Sequence, residues 1–156
     1  MERITLITGG SRGIGSAAAK LCAEAGHAVA VNYVTNADKA STVAAAIRDA
    51  GGIAMTVQAD TGDESQVEHM FDAVSAELGL ITGLVNNAGV HGPRGRLDEL
   101  TNYEIQAVLN TNVLGCFLCA RAAVKRMSTK HGGGGGAIVN VSSGSAHLGA
   151  PNDGIL

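Results

Sequence analysis

Thr8-Gly9-Gly10-Ser11-Arg12-Gly13-Ile14-Gly15 follows the apolar run Ile4 to Ile7 and leads into an alanine-rich helical pattern. Glycines at 9, 13 and 15 let the backbone turn sharply and approach a ligand with no Cβ in the way. They also bring the free N–H groups of a helix start to bear on an anion, which is the design of a phosphate-binding turn. The spacing is G-x-x-x-G-x-G and differs from the G-x-G-x-x-G dinucleotide fingerprint. An ordinary tight strand-to-helix turn would use the same glycines, so the rest of the chain must supply the context.

Five apolar runs, at 4–8, 28–32, 53–60, 83–87 and 137–143, read as strands, and none shows a polar alternate face. Continuous apolar strands suit a sheet covered on both sides, and their alternation with helical patterns predicts a parallel sheet with right-handed crossovers. Ile14, Ala17, Ala18, Leu21, Cys22 and Ala25 follow the spacing of one buried helix face before Gly26. Ala40, Val43, Ala44 and Ile47, closed by Gly51-Gly52, make a second helix, and Val67, Met70, Phe71, Val74 and Leu78 a third before Gly79. A longer helix runs from about 101 to 130, with Ile105, Val108, Leu109, Val113, Cys116, Phe117, Ala120 and Val124 on one stripe. Gly132 to Gly136 then reads as a short flexible connection.

The 156 residues, 46% hydrophobic and 16% charged, fit one domain with a real core. Net charge is −3 and the eleven basic residues are scattered, so no stripe exists to neutralise a row of phosphates; nucleic acid and anionic membranes are poor partners. No uninterrupted apolar run approaches a membrane span, and Met1-Glu2-Arg3 enters a strand with no signal-peptide core, which predicts a cytoplasmic chain. Cys116 and Cys119 lie three apart on the long helix, but nothing else supplies ligands. They read as reduced thiols, and no metal site is expected.

At their carboxyl ends the strands turn polar, at Thr8, Asn32, Asp60, Asn86-Asn87 and Ser142-Ser143. Ligands bind at that edge of open parallel sheets. Asn112 sits within the apolar stripe of the long helix, where an unpaired amide would cost about 1–3 kcal/mol. It needs partners, either backbone groups in a structural arrangement or a catalytic water with neighbouring strand groups.

Four motifs now stand in order: Thr8-Gly9-x-x-x-Gly13-Ile14-Gly15, Asn86-Asn87-Ala88-Gly89, Asn112-Val113-Leu114-Gly115 and Ile138-Val139-Asn140-Val141-Ser142-Ser143. Together they resemble the short-chain dehydrogenases/reductases, in the branch of glucose-dehydrogenase-like and carbonyl-reducing enzymes. The resemblance implies a Rossmann-type doubly wound α/β sheet, strand order 3-2-1-4-5, ending after the fifth strand, with 1–156 as a single dinucleotide-binding domain incomplete at its C-terminus. It implies hydride transfer between a nicotinamide and a small-molecule carbonyl or alcohol, with Ser143 donating a hydrogen bond to the substrate oxygen and Asn112 holding a water in the proton relay. Ser142 would point into the fold instead. Gly9, Ser11, Arg12, Gly13, Ile14 and Gly15 would cradle the pyrophosphate, and Asn32 and Tyr33 would lie at the adenosine end. Asp60 with Thr61 would contact the adenine, unless Asp60 merely caps the next helix, and Asn87, Ala88 and Gly89 would line the adenine-ribose side. The complete enzyme would be a homo-oligomer.

Cofactor choice follows from charge, since a carboxylate at the end of the second strand favours the NAD ribose and a cation favours the NADP phosphate. The stretch Val31-Asn32-Tyr33-Val34 has no acid until Asp38, and Arg12 lies in the loop, so NADP(H) is expected over NAD(H). The family's Tyr-x-x-x-Lys pair, general acid/base and pKa-lowering cation, is absent: the tyrosines are Tyr33 and Tyr103, and no lysine follows Lys130. The 156 residues alone are therefore expected to be inactive, with an uncovered apolar fifth strand and poor solubility. A non-catalytic dinucleotide-binding or dimerising fragment is the alternative. His91-Gly92-Pro93-Arg94 is either a substrate-touching loop or a mobile surface loop.

Overall fold

The computed structural model describes residues 3–149. Five strands, β1 (Ile4–Ile7), β2 (Ala28–Tyr33), β3 (Ala54–Gln58), β4 (Gly83–Asn86) and β5 (Ala137–Asn140), form one parallel sheet in the order β3-β2-β1-β4-β5. This is the Rossmann-like order expected from the resemblance. Pairing brings Ile4 beside Ala28, Val29 beside Ala54, Thr5 beside Gly83 and Gly83 beside Ala137.

The crossovers are α1 (Gly13–Glu24), α2 (Ala37–Asp49), α3 (Glu64–Leu78) and a long helix made of α4 (Asn102–Leu109), a π turn (Asn110–Leu114) and α5 (Gly115–Met127). A short α6 (Ser145–Leu148) follows β5. On one sheet face, Val43, Ala44 and Ile47 of α2 pack with Ala19 of α1 over Ile7, Val29 and Val31. On the other, Met70, Phe71 and Val74 of α3 and Leu118, Ala122 and Met127 of α5 cover Ile4, Leu6, Ala30 and Leu84. β1 and β2 are therefore apolar on both faces, as a central parallel strand must be.

The faces foreseen for α2 and α3 are the buried ones, with the predicted Leu78 half-buried. Two others are corrected. On α1 the buried positions are Gly15 and Ala19, while Ile14 and Leu21 are 67% and 63% exposed. Its many alanines leave the apolar stripe broad, so periodicity alone does not choose the buried side. On the long helix the predicted stripe faces outward: Leu109, Val113, Phe117 and Val124 are exposed, and Val108, Leu118, Cys119, Ala122, Ala123 and Met127 form the inner face. The π turn is the reason, because its extra residue rotates everything beyond it relative to a regular helix. The helix Asn102–Met127 is also, at 26 residues, long and apolar enough by length and composition to cross a membrane. This corrects the membrane estimate, because the helix contains polar residues that interrupt any run of apolar letters. Its inner face belongs to the core.

The glycine run is a built turn rather than a flexible one. The Gly135 N–H donates to the Met127 carbonyl at 2.8 Å, and a Cβ on Gly136 would lie 2.5 Å from the Thr82 carbonyl oxygen. The strand read as 137–143 stops at Asn140, although the Val141 N–H still donates to the Asn86 carbonyl at 2.8 Å. β5 is the sheet edge, with Val139 54% exposed.

The cysteines are free thiols. Burial, with Cys116 adding a little, pushes the Cys119 thiol up to about 12, so it stays protonated and packs as a small apolar group.

Charge joins the outer edges of α3 and α5. Lys125 and Arg126 each donate to Glu68 at 3.1 Å, Arg126 also meets Asp72, and its guanidinium lies 5.2 Å from the centre of the Phe71 ring. The Lys125 hydrogen bond, and after it Arg126, holds the Glu68 carboxyl below its usual value against the opposing effect of burial. A depressed folded pKa means stabilisation that is complete above the unfolded value and lost as pH falls through the folded one. Glu68→Gln is expected to lower the melting temperature at pH 7 by about 2–4 °C, equivalent to about 1 kcal/mol. The gap should close below about pH 4 in a series of thermal melts.

Candidate dinucleotide site

The carboxyl ends of β1 and β4 are locked together by one threonine and one asparagine. The Thr8 hydroxyl accepts hydrogen bonds from the Asn87 and Ala88 amides at 2.9 and 3.0 Å and donates to the Val85 carbonyl at 3.3 Å. In return, Asn87 Nδ2 donates to the Thr8 and Gly9 carbonyls at 2.9 and 3.2 Å. From the other side, Asn32, wholly buried, accepts from the Gly9 amide at 3.1 Å and donates to the Ala59 carbonyl at 3.0 Å. The glycine loop is thus held by the strands on both flanks.

Glycine is required at two places for different reasons. Gly9 has φ 61°, and a Cβ there would sit 2.9 Å from Ala88 Cα. Gly15 is buried, and its Cβ would fall 2.5 Å from Asn87 Nδ2 and 2.6 Å from the Gly9 carbonyl oxygen. Without a side chain at 15, α1 can close onto the strand ends.

That closure leaves α1 with an open N-terminus. Its N-cap is Arg12, with no side-chain cap and no acid in the first turn, whereas α2 carries Asp38 there, α3 Asp63 and Glu64, and α4 Thr101 and Glu104. The amides of Gly13, Ile14 and Gly15 have no acceptor among the described residues. They and the positive end of the helix dipole face outward beside the exposed Arg12.

A cleft of about 780 Å³ opens over this terminus, floored by the loop and walled by Tyr33 to Asn36, by Asp60 and Thr61, and by Asn87 to His91. Of the residues singled out from sequence, Gly9, Ser11, Arg12, Gly13, Ile14, Tyr33, Asp60, Thr61, Asn87, Ala88 and Gly89 border it. Asn32 and Gly15 do not, because both are enclosed beneath the loop they support. Asp60 is not a helix cap: its carboxylate accepts from the Gly62 amide at 2.8 Å, and Asp63 caps α3 through the Gln66 amide at 3.0 Å.

Asn112 finds its partners in the backbone. Its Oδ1 accepts from the Val90 amide at 2.8 Å and its Nδ2 donates to the Val90 carbonyl at 2.9 Å, tying the π turn to the loop after β4. Ser143 lies past β5, outside the residues bordering the cleft, and its hydroxyl accepts from the Ser145 amide at 3.2 Å. Ser142 is exposed like Ser143, not directed into the fold, because regular strand alternation has already ended at Asn140.

Sequence reasoning missed Val34, Thr35, Asn36, Val90 and Thr111 as cleft residues, and gave His91 no place on its wall. Loop residues carry no periodic signal. It also missed the bracing pair of asparagines behind the wall: Asn86 Nδ2 donates to Asn140 Oδ1 at 2.9 Å, across β4 and β5, and Cys116 Sγ–H approaches the same oxygen at 3.4 Å.

The short-chain dehydrogenase family model matches residues 3–154. This chain belongs to that family. Short-chain dehydrogenases similar to it include an oxidoreductase of Escherichia coli named YgfF, 51% identical over 96% of this chain and 61% of the relative. The cis-4-hydroxycyclohexanecarboxylate dehydrogenase of Sinomonas cyclohexanicum is 42% identical over 91% of this chain and 55% of its own length. Among solved structures, a gluconate 5-dehydrogenase from Burkholderia cenocepacia in complex with NADP and tartrate superposes with a TM-score of 0.86 at 35% identity, covering 98% of this chain and 58% of that one. A short-chain dehydrogenase/reductase variant from Serratia marcescens gives 0.84 at 33% identity, covering 92% and 56%. The chain thus spans little more than half the length of these proteins.

The Thr8 clamp can be tested directly. Thr8→Val keeps the shape but strips two amides of their acceptor, and is expected to cost about 2–4 kcal/mol in urea unfolding. Thr8→Ser, which retains the oxygen, should recover most of that loss.

Proposed function

We propose that this short-chain dehydrogenase chain binds NADP(H) in preference to NAD(H). It would supply the dinucleotide half of an oxidoreductase acting on a small carbonyl or alcohol. The observation that carries the reading is the uncapped, acid-free N-terminus of α1, with its free amides and exposed Arg12 opening into a cleft walled by the ends of β2, β3 and β4. Three amides at a helix start suit a pyrophosphate, and Gly9 and Gly13, at φ 61° and 54°, keep the loop bare of side chains in that approach. A bound nicotinamide dinucleotide would supply the hydride chemistry.

The chain's own residues orient and discriminate. Tyr33, Val34, Thr35 and Asn36 form the wall at the end of β2 with no carboxylate among them, so nothing there repels a 2′-phosphate, and Arg12 across the loop attracts one. Support also comes from the Burkholderia gluconate 5-dehydrogenase, whose structure holds NADP. Ser143 would donate to a substrate oxygen, stabilising charge that develops on it, after releasing the Ser145 amide. Asn112 would hold the loop of Val90 and His91 against the cleft and present its remaining amide hydrogen to a relay water. Through the exposed apolar side of Asn102–Met127, where Tyr103 and Phe117 are 81% and 70% exposed, the whole protein would self-associate in the cytoplasm.

Arg12→Ala is expected to weaken NADPH binding about tenfold while changing NADH binding less than about twofold, in titrations followed by nicotinamide fluorescence. An unchanged ratio would remove the NADP assignment. The 156 residues contain no Tyr-x-x-x-Lys. The chain by itself should therefore bind NADPH but show no oxidation of it when carbonyl substrates are added, and turnover by the purified chain would disprove that division of labour.

A further inference from the structure

Behind the cleft wall, a cavity of about 30 Å³ is bordered by Thr8, Thr61, Asn86, Ala88, Asn112, Gly115, Cys116 and Val141, where the ends of β1, β4 and β5 meet the π turn. Two of its polar groups are almost fully buried and unpaired. Thr61 is 2% exposed, and its hydroxyl has no hydrogen-bond partner among the described residues. Asn86 is 6% exposed; its Nδ2 is fixed by donation to the Cys116 carbonyl at 3.2 Å, an atom that can only accept, and to Asn140 Oδ1 at 2.9 Å. The opposite arm of that amide, Oδ1, accepts from no described residue.

A buried hydroxyl and a buried amide oxygen left bare would each carry a desolvation penalty. A donor and an acceptor on one small polar cavity are the two requirements of a single water, and the volume exceeds the roughly 10–15 Å³ that one needs. We propose that a structural water occupies this cavity, accepting the Thr61 hydroxyl hydrogen and donating one of its own to Asn86 Oδ1. Asn112, whose second amide hydrogen is not used by Val90, supplies a third contact. The water then completes a chain from the loop after β3 through Asn86 to Asn140 on β5, and fixes the amide that braces β4 against β5. Gly115 belongs to the same arrangement, since a Cβ there would press to 2.8 Å from Thr61 Oγ1.

Substituting Thr61 gives opposite signs for a hydrated and an empty cavity. With the water present, Thr61→Val strips it of a donor, and the melting temperature should fall by about 2–6 °C. With the cavity empty, the same change removes an unsatisfied hydroxyl, and the melting temperature should rise or stay level. A crystal structure of the unsubstituted protein should show an ordered solvent peak within about 3.2 Å of both Thr61 Oγ1 and Asn86 Oδ1. An unchanged or raised melting temperature, or the lack of that peak, overturns the proposal.

Discussion

The hydrogen-bond economy of Thr8 is the constraint on which the rest of this molecule depends. A parallel strand that ends at the sheet edge leaves backbone groups exposed just where the chain must turn into a helix, and buried groups of that kind must be paired. Thr8 does this with one oxygen, accepting two amides from the neighbouring strand's exit loop, while Asn87 returns the favour to the Thr8 and Gly9 carbonyls. Because those bonds are made between loops and not to the first turn of α1, the amides of that turn remain free. Stability of the edge and openness of the anion site thus come from the same four bonds.

Fold and site were legible to different depths. The sheet order, the faces of α2 and α3 and most of the residues around the cleft followed from apolar runs, helical spacing and the ordered motifs. The buried side of α1 did not, because alanines at 17, 18, 19 and 23 give nearly every direction some apolar character. Nor did the inner face of the long helix, since a π turn at Asn110–Leu114 has no composition that announces it and shifts the face after it. Asn32 illustrates a further limit. A polar residue at the end of a strand can point at a ligand or hold the loop that does, and only the placement of its amide, buried under Gly9, distinguishes the two.

The π turn also shows how packing can outrank helical regularity. Gly62 and Gly115 allow the loop after β3 to press against the turn so closely that a Cβ on Gly62 would meet Asn110 Nδ2 at 2.5 Å. A regular helix through 110–114 would direct Asn112 elsewhere, and its amide would lose both bonds to Val90. The cost of one irregular turn is offset by pairing an amide that would otherwise be half-buried and bare. One wall of the cleft, from Ala88 to His91, is therefore positioned by a helix that itself borders the cleft only at Thr111.

The same economy separates binding from chemistry along the chain. Everything that shapes the cleft lies on β1 to β4, their exit loops and the π turn, and these elements brace one another without help from β5 beyond the Asn86–Asn140 bridge. Ser143, by contrast, sits past the end of β5 with its hydroxyl engaged by the Ser145 amide, on a strand with three of its four residues exposed. A dinucleotide site needs its amides fixed before the ligand arrives, because each loop residue ordered on binding would subtract from affinity. A hydroxyl that acts on a substrate needs only to be in place when the substrate is. The rigid half of the site is accordingly held by hydrogen bonds internal to the described residues, and the reactive serine is held by a single bond that a substrate oxygen can replace.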